Sequence, residues 1–380
     1  MEGRFDVVVV GAGIAGASVA CVLQRAGTRT LLLERESQPG WHATGRSAAV
    51  FLKSYGNETI RTLTLASEPF YREPPDGFAG RPLLARRGFV AIARADQRAR
   101  LEREALFARR FVPTVRMLGA DELGRRVPLL RPGYAAAGFL DPEAANMDVG
   151  AILQGYLRLF RRAGGELRTD REVVALHRYG NDWRVRTRQE TVACAVVVDA
   201  AGAWADEIAK LAGLDPLGLV PMRRTAFTVA APVDIDPASM PLVADIDEQF
   251  YVKPESGQLL CSPADETASS PCDAAPDELD IAVAVDRIER AFDLGVRSIG
   301  RKWAGLRTFA PDRTPVLGFD PRAPGFFWLA GQGGYGIQTA PAMARLAAAV
   351  IRGETPGPAL AGLLPALRPE RLFAPSPGPR

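Results

Sequence analysis

Residues 5–10 are apolar at every position but Asp6, the run breaks at GAGIAG, and residues 15–26 then carry apolar side chains at helical spacing as far as Gly27. That order predicts a short buried strand, a glycine turn and a helix, with residues 28–33 returning as a second strand ending at Glu34. Residues 36–55 are polar, contain glycine and lose any period, as in a loop that passes over a ligand. Further along, the pattern predicts a helix over 61–71, a strand over 82–92, a charged helix over 97–110, an amphipathic helix over 148–162 and a small meander over 166–186 around Trp183. An apolar run over 191–199 leads into AAGAW and a helix over 206–212. Residues 227–260 read as strands, with FYVKP the clearest, and 262–276 as a polar, mobile loop. A buried strand over 326–330, the turn GQGGYG and an alanine-rich helix over 340–351 close the pattern, before a proline-rich tail expected to fray. No internal repeat is visible.

Composition narrows the class. At 380 residues the chain exceeds what one core usually serves, and 47% hydrophobic with 24% charged residues is ordinary for a folded protein. A net charge of +3 and scattered arginines predict small-molecule partners rather than nucleic acid. Cys21, Cys194, Cys261 and Cys272 form no CxxC pair, and the first apolar run stops at Val10, too short for a signal peptide or membrane span, so a cytoplasmic monomer or homodimer is expected. With His42 and His177 as the only histidines, no metal site is expected.

The strongest motif is the first turn. Gly11 permits the tight turn, Gly13 lets a pyrophosphate approach and Gly16 allows helix and strand to pack, while Ile14 and Ala15 open the helix whose N-terminus favours negative charge. Glu34, at the end of the second strand, stands where an acid binds ribose hydroxyls, so an adenosine dinucleotide is expected. No second GxGxxG follows, and nothing between residues 90 and 305 suggests another nucleotide unit. Polar glycine turns recur instead at 44–47, 201–204 and 331–338, as a long cofactor touched by several segments requires. That favours FAD over NAD. The expected architecture is α/β: a Rossmann-like FAD-binding domain of the glutathione-reductase type, from 1–80, 142–222 and 301–360, interleaved with an α+β substrate domain, 81–141 and 223–300, whose sheet is mixed or antiparallel. Residues 361–380 form the tail.

The segments GAGIAGAS, GWHATGRSAA, VVVDAAGAWADEIAKLAG, PMRRTAF, FYVKP, WAGLR and GQGGYGIQT, in this order to about residue 352, resemble the flavin-dependent D-amino acid oxidoreductases, the glycine/D-amino acid oxidase-like family. Its D-arginine dehydrogenase branch is nearest in pattern. The resemblance implies dehydrogenation of a D-amino acid to an imino acid, which water hydrolyses to a 2-oxo acid and ammonia. A quinone, another carrier or oxygen would take the electrons. It places Glu34 and Arg35 at the adenosine ribose, and Thr44, Gly45, Arg46, Ser47 and Ala48 along the flavin. Val174, Ala201, Gly202 and Trp204 fall near the adenine and pyrophosphate half. Gly305 and Gly333, Gly334, Tyr335, Gly336, Ile337 and Gln338 fall around the isoalloxazine ring. Arg224 and Arg307 would hold the substrate carboxylate, with Tyr55 and Tyr251 adding hydroxyl groups.

The chemistry agrees, because a carboxylate needs a planar donor that stays charged. Arg307 lies between apolar neighbours in WAGLR, where an unpaired charge is costly, and Arg224 is preferred to Arg223 only through the resemblance. Tyr55 and Tyr251 have an ordinary reading as packing residues. His42 adjoins the flavin loop, yet non-covalent FAD is expected. The arginine-preferring relatives carry polar or acidic residues where this chain has Val50, Leu52 and Phe89; these apolar residues, with Gly334 and Gln338, predict a pocket for uncharged side chains. Two other readings stay open: an oxygen-using oxidase of glycine or N-alkyl amino acids, and a non-catalytic FAD-binding protein.

Overall fold

The first apolar run, Arg4–Val10, is flanked on both edges by other strands and on both faces by helices, which is why it contains no alternation. In the computed structural model, which describes residues 4–233 and 235–373, it lies inside an eight-stranded sheet. Parallel neighbours are Thr30–Leu33 on one edge and Thr191–Asp199 on the other. Thr191–Asp199 pairs with Asp182–Thr187 through its first half and with Phe326–Ala330 through its last residues. Val173–Tyr179, Glu166–Arg168 and Val316–Phe319 complete the sheet. The helices Ile14–Arg25, Val149–Arg162 and Gly336–Ile351 bury one face, and Ala205–Leu211 packs on the other.

A second, nine-stranded sheet runs in the order Thr267–Ala268, Val220–Ala230, Gln258–Ser262, Tyr251–Glu255, Leu242–Asp245, Phe89–Ala93, Ala137–Asp141 and Arg116–Gly119, with Lys302–Phe309 also on Val220–Ala230. Its orientation is mixed: Leu242–Asp245 runs parallel to Phe89–Ala93, and the other pairs are antiparallel. The helix Glu278–Ala291 covers one face through Ile281, Ala284 and Ile288. The opposite face carries Ala91 and Phe139, against helix Arg98–Arg109 and a cavity.

The strand expected over 82–92 is two strands, Leu84–Arg86 and Phe89–Ala93, in different sheets, and the helix expected from residue 340 begins at Gly336; four further segments also differ from expectation. Lys302–Phe309, expected with the nucleotide-binding part, pairs over eight residues with Val220–Phe227 of the second sheet, because Trp303, Gly305, Arg307 and Phe309 alternate with Ala304, Leu306 and Thr308. The helix expected from residue 61 begins at Glu58, since the Asn57 side chain accepts a hydrogen bond from Ile60 N–H and caps it. The loop over 262–276 is tied down: Thr267 and Ala268 pair with Arg223 and Met222, and Thr225 donates twice to Asp265. Residues 358–372 do not fray but form short helical turns, with Leu367 buried and Arg371 bonded to Asp312 at 2.8 Å; residues 374–380 lie outside the described part. Among the described residues no helix is long and apolar enough to cross a membrane.

Candidate functional site

At the C-terminal end of the parallel strands lies a cavity of about 430 Å³, where open α/β sheets place their ligands. Gly11 has φ +99°, and a Cβ there would stand 2.6 Å from Ala200 O, so only glycine fits the turn. A Cβ on Gly16 would collide with Gly11 O, which makes Gly16 the helix–strand contact rather than part of the cavity wall. Gly45 likewise packs on Gly40 O. The helix Ile14–Arg25 has no side-chain cap of its own; Thr44 Oγ1 accepts from Ile14 N–H at 3.0 Å and ties the polar loop to the helix start. Glu34 is buried, and its carboxylate accepts from Ala12 N at 2.9 Å and Glu36 N at 3.0 Å. Burial pushes its pKa up, and those two N–H bonds only partly oppose the shift. Arg35 stacks over Trp204 at 4.7 Å, and His42 packs on the same indole at 4.6 Å while bonding Glu36.

A second cavity, of about 630 Å³, shares Ile14, Thr44, Arg46, Gly305, Gly333 and Gly336 with the first, so the two are continuous. Arg307 and Arg224 both face it, from neighbouring strands. One carboxylate, Glu266, serves three arginines: it accepts from Arg224 at 3.1 Å and Arg313 at 2.9 Å and lies 3.7 Å from Arg307. The cluster keeps excess positive charge. Arg307 Nη1 and Arg224 Nε are buried without a hydrogen-bond partner, an arrangement that is costly unless an anion completes it. Burial works to lower the Arg307 pKa, but the phenols of Tyr55, Tyr335 and Tyr251 together with Glu266 outweigh it and hold the group above its ordinary value. Burial also pushes the Tyr335 phenol up, so it remains a donor.

From this cluster a groove crosses the second sheet. Tyr251 faces Ala244, Ala244 faces Ala91, and Ala91 faces Phe139 across successive strands. One row therefore spans three strand spacings, about 14 Å. The small residues Ala244 and Ala91 form its floor. Leu242, Phe89 and Asp141 form the next row on the same face. Val50 and Leu52 border the same cavity.

Of the expected site residues, Arg307, Arg224, Tyr55, Tyr251, Val50, Leu52, Phe89 and Gln338 all line the second cavity, together with Ser47, Ala48, Gly334, Tyr335 and Ile337. Gly13, Ala15, Glu34, Arg35, Val174, Ala201, Gly202 and Trp204 line the first. Arg223 turns away to Asp280, at 2.7 Å. Arg46 borders both cavities, but its guanidinium is a strut, donating to Ala274 O, Ala304 O and Asp273. The sequence reading missed Glu266, which lies in the segment taken for a mobile loop. It also missed Arg61, which lines the second cavity and whose Nε fixes Gly56 O at 2.7 Å. Its spacing on the helix face gave no signal. Burial draws the Arg61 pKa down to about 10.

The glycine cradle, the helix start facing the cavity, the buried acid at the second strand and the continuity with a second cavity are the parts a long dinucleotide requires. They define a flavoprotein oxidoreductase. The chain belongs to the FAD dependent oxidoreductase (DAO) family, whose model matches residues 6–350, and its cofactor is FAD. It is 25% identical to the uncharacterized oxidoreductase YurR of Bacillus subtilis over 368 residues, covering 91% of this chain and 95% of that one. L-proline dehydrogenase from P. horikoshii superposes with a TM-score of 0.84 at 19% identity, covering 98% of this chain and 99% of that chain. Glycine oxidase from Geobacillus kaustophilus gives 0.81 at 24% identity, covering 94% and 96%. At these identities the structures show the shared fold, with sheets of mixed orientation.

Proposed function

We propose that this protein is a D-amino acid dehydrogenase that accepts uncharged, apolar or aromatic side chains, with a separate carrier rather than oxygen as the electron acceptor. The observation that carries the amino acid part is the pair of half-buried arginines, Arg307 and Arg224, each with a buried nitrogen that lacks a hydrogen-bond partner, beside three tyrosines at the junction of the cofactor cavity and an apolar groove. FAD, held by the glycine turn and the Glu34 cavity, would supply the two-electron acceptor for the oxidation. The chain's residues do the rest by orientation. Arg307 and Arg224 grip the carboxylate, and the Tyr55 and Tyr251 hydroxyls donate to it and exclude water. The amine gives up a proton, Cα loses a hydride, and the imino acid released is hydrolysed by water to a 2-oxo acid and ammonia.

The D configuration and the likeness to D-arginine dehydrogenases rest on the motif resemblance, since the compared proteins have other names and substrates. Val50, Leu52 and Phe89 argue against a basic side chain, because the acids that border the cavity are already partnered, Glu104 with Arg61, Asp245 with Arg94, Glu248 with Tyr55 and Asp312 with Arg371. Four free cysteines fit a reducing cytoplasm. Anaerobic mixing tests the reading. Free D-amino acids are expected to bleach the flavin, with D-leucine, D-methionine and D-phenylalanine exceeding D-arginine in kcat/KM. Bleaching only by N-methyl or L-amino acids overturns it. Dye or quinone reduction is expected to outpace oxygen uptake, and acid precipitation to leave the yellow colour in the supernatant, as non-covalent FAD requires.

A further inference from the structure

The groove ends on a hydroxyl group that the carboxylate site does not use. Ser54, two residues after Leu52, borders the cavity and donates from Oγ to Asp141 Oδ2 at 2.6 Å. Asp141 is fully buried, and its other oxygen accepts Glu143 N–H at 2.9 Å. Behind it Glu143 accepts from Lys53 at 2.6 Å and from Thr114 at 2.7 Å, and Lys53 also pairs with Glu68 at 3.0 Å. Two carboxylates, Glu68 and Glu143, thus hold one ammonium group, and Arg72 shares Glu68 from the surface. The Ser54 proton is drawn toward Asp141, which leaves the Oγ lone pairs as the acceptor presented to the groove.

The walls say what reaches that acceptor. Asp141 stands opposite Phe89 across the strands, and the Phe89 and Phe139 rings meet edge to face at 5.8 Å. A flat ring entering over Ala244 and Ala91 fits beside the two phenylalanines and reaches toward Ser54 Oγ. We propose that Ser54, oriented by Asp141, reads an O–H or N–H on the rim of an aromatic side chain, so that phenolic and indolic amino acids are selected over hydrocarbon ones. This rests on the groove holding the substrate side chain, as the proposed function has it. Ser54 is a specificity determinant and takes no part in the hydride step. Its hydroxyl, committed to a buried acid, cannot turn to donate to an analogue that lacks the O–H.

The test compares D-tyrosine with 4-fluoro-D-phenylalanine, near-isosteres of which only the first carries a donor. In the holoenzyme the kcat/KM ratio is expected to be roughly fivefold to tenfold in favour of D-tyrosine. It should fall to about one in Ser54→Ala and persist in Ser54→Thr. Asp141→Asn, whose amide can donate back to Ser54, should also lower it, which keeps the test open if Ser54→Ala fails to fold. A second readout needs no amine: 3-(4-hydroxyphenyl)propanoate and 3-phenylpropanoate are titrated against the flavin absorbance of the holoenzyme, with the same ratio expected. If D-phenylalanine bleaches the flavin but both ratios are flat, or survive Ser54→Ala, the inference is overturned and the proposed function stands. If no D-amino acid bleaches the flavin while the hydroxyphenyl acid still binds more tightly through Ser54, the proposed reaction fails and the Ser54 assignment is supported.

Discussion

Gly334 and Arg307 offer a way to remove the proposed carboxylate grip without substituting a charged residue. A Cβ on Gly334 would lie 1.6 Å from Arg307 Nη2, and also within contact of its Cζ and Nε, so the guanidinium rests directly on the glycine backbone. Gly334 is not among the glycines with positive φ, so alanine is acceptable to the backbone conformation, and the nearest collisions fall on the Arg307 guanidinium. Gly334→Ala should therefore fold and bind FAD while pushing the guanidinium off its position. A hydrogen bond to a charged group contributes about 1.5–3 kcal/mol, so losing the paired geometry should lower kcat/KM about 10- to 150-fold. The loss should spread over KM and kcat, because the group that binds the carboxylate also orients Cα. Steady-state kinetics with D-leucine, alongside the flavin-to-protein ratio, measures it. Arg307→Met should lose at least as much, and the double variant should be no worse than Arg307→Met alone, since both changes remove one interaction. A Gly334→Ala enzyme within twofold of wild type, or additive losses in the double variant, would refute Arg307 as the carboxylate anchor.

Three further outcomes are expected. Glu266→Gln leaves Arg224, Arg307 and Arg313 without their shared carboxylate; stability should drop by about 1–2 kcal/mol, discounted for partial exposure, while a simple carboxylate competitor binds more tightly and restores the melting temperature. Phe89→Glu places an acid in the groove wall and should raise the D-arginine to D-leucine kcat/KM ratio by about tenfold or more, a paired charge replacing an unpaired one. Asp199 is wholly buried with Oδ2 unpartnered, and burial raises its pKa well above 3.8. The folded state then holds a proton that the unfolded state releases above that value, so this residue costs stability increasingly as pH rises from about 4 toward its folded pKa. Asp199→Asn should match wild type in melting temperature near pH 4 and exceed it at pH 7–8; a gap independent of pH would show that Asp199 is ionised when folded.

The first turn was legible because strand, glycines, helix and acid fall in one continuous stretch, where local sterics dictate the geometry. Gly13, Glu34 and the loop at Thr44 needed no partner from far along the chain, although the Ala200 carbonyl that closes over Gly11 comes from a distant strand. Pairing across the second sheet was not legible, since it depends on which distant strands meet. Residues 302–309 were placed with the nucleotide-binding part, yet the bonds of that strand go to Val220–Phe227. Glu266 was hidden for the same reason. A lone acid in a polar segment carries no local sign that three arginines from two other segments converge on it.

One strand face accounts for the coupling between cofactor wall and carboxylate anchor. Side chains alternate along Lys302–Phe309, so Gly305, Arg307 and Phe309 point the same way. Each meets a different part of the nucleotide-binding half. Gly305 leaves room for Arg46, whose Cβ is 3.3 Å from where its own would stand; Arg307 rests on Gly334; and the Phe309 ring fills the space beside Gly333. The small residues are distributed on both sides: glycine on the strand where the loop approaches, and glycines on the turn where the strand projects arginine and phenylalanine. The turn Gly331–Gly334 thus does two things that its sequence alone suggests only in part. It opens the helix Gly336–Ile351 beside the cofactor cavity, and it forms the flat seat on which Arg307, the proposed carboxylate anchor, is held. Because both sheets contribute to that seat, the arginine's position is fixed relative to the cofactor wall by packing rather than by a hydrogen bond.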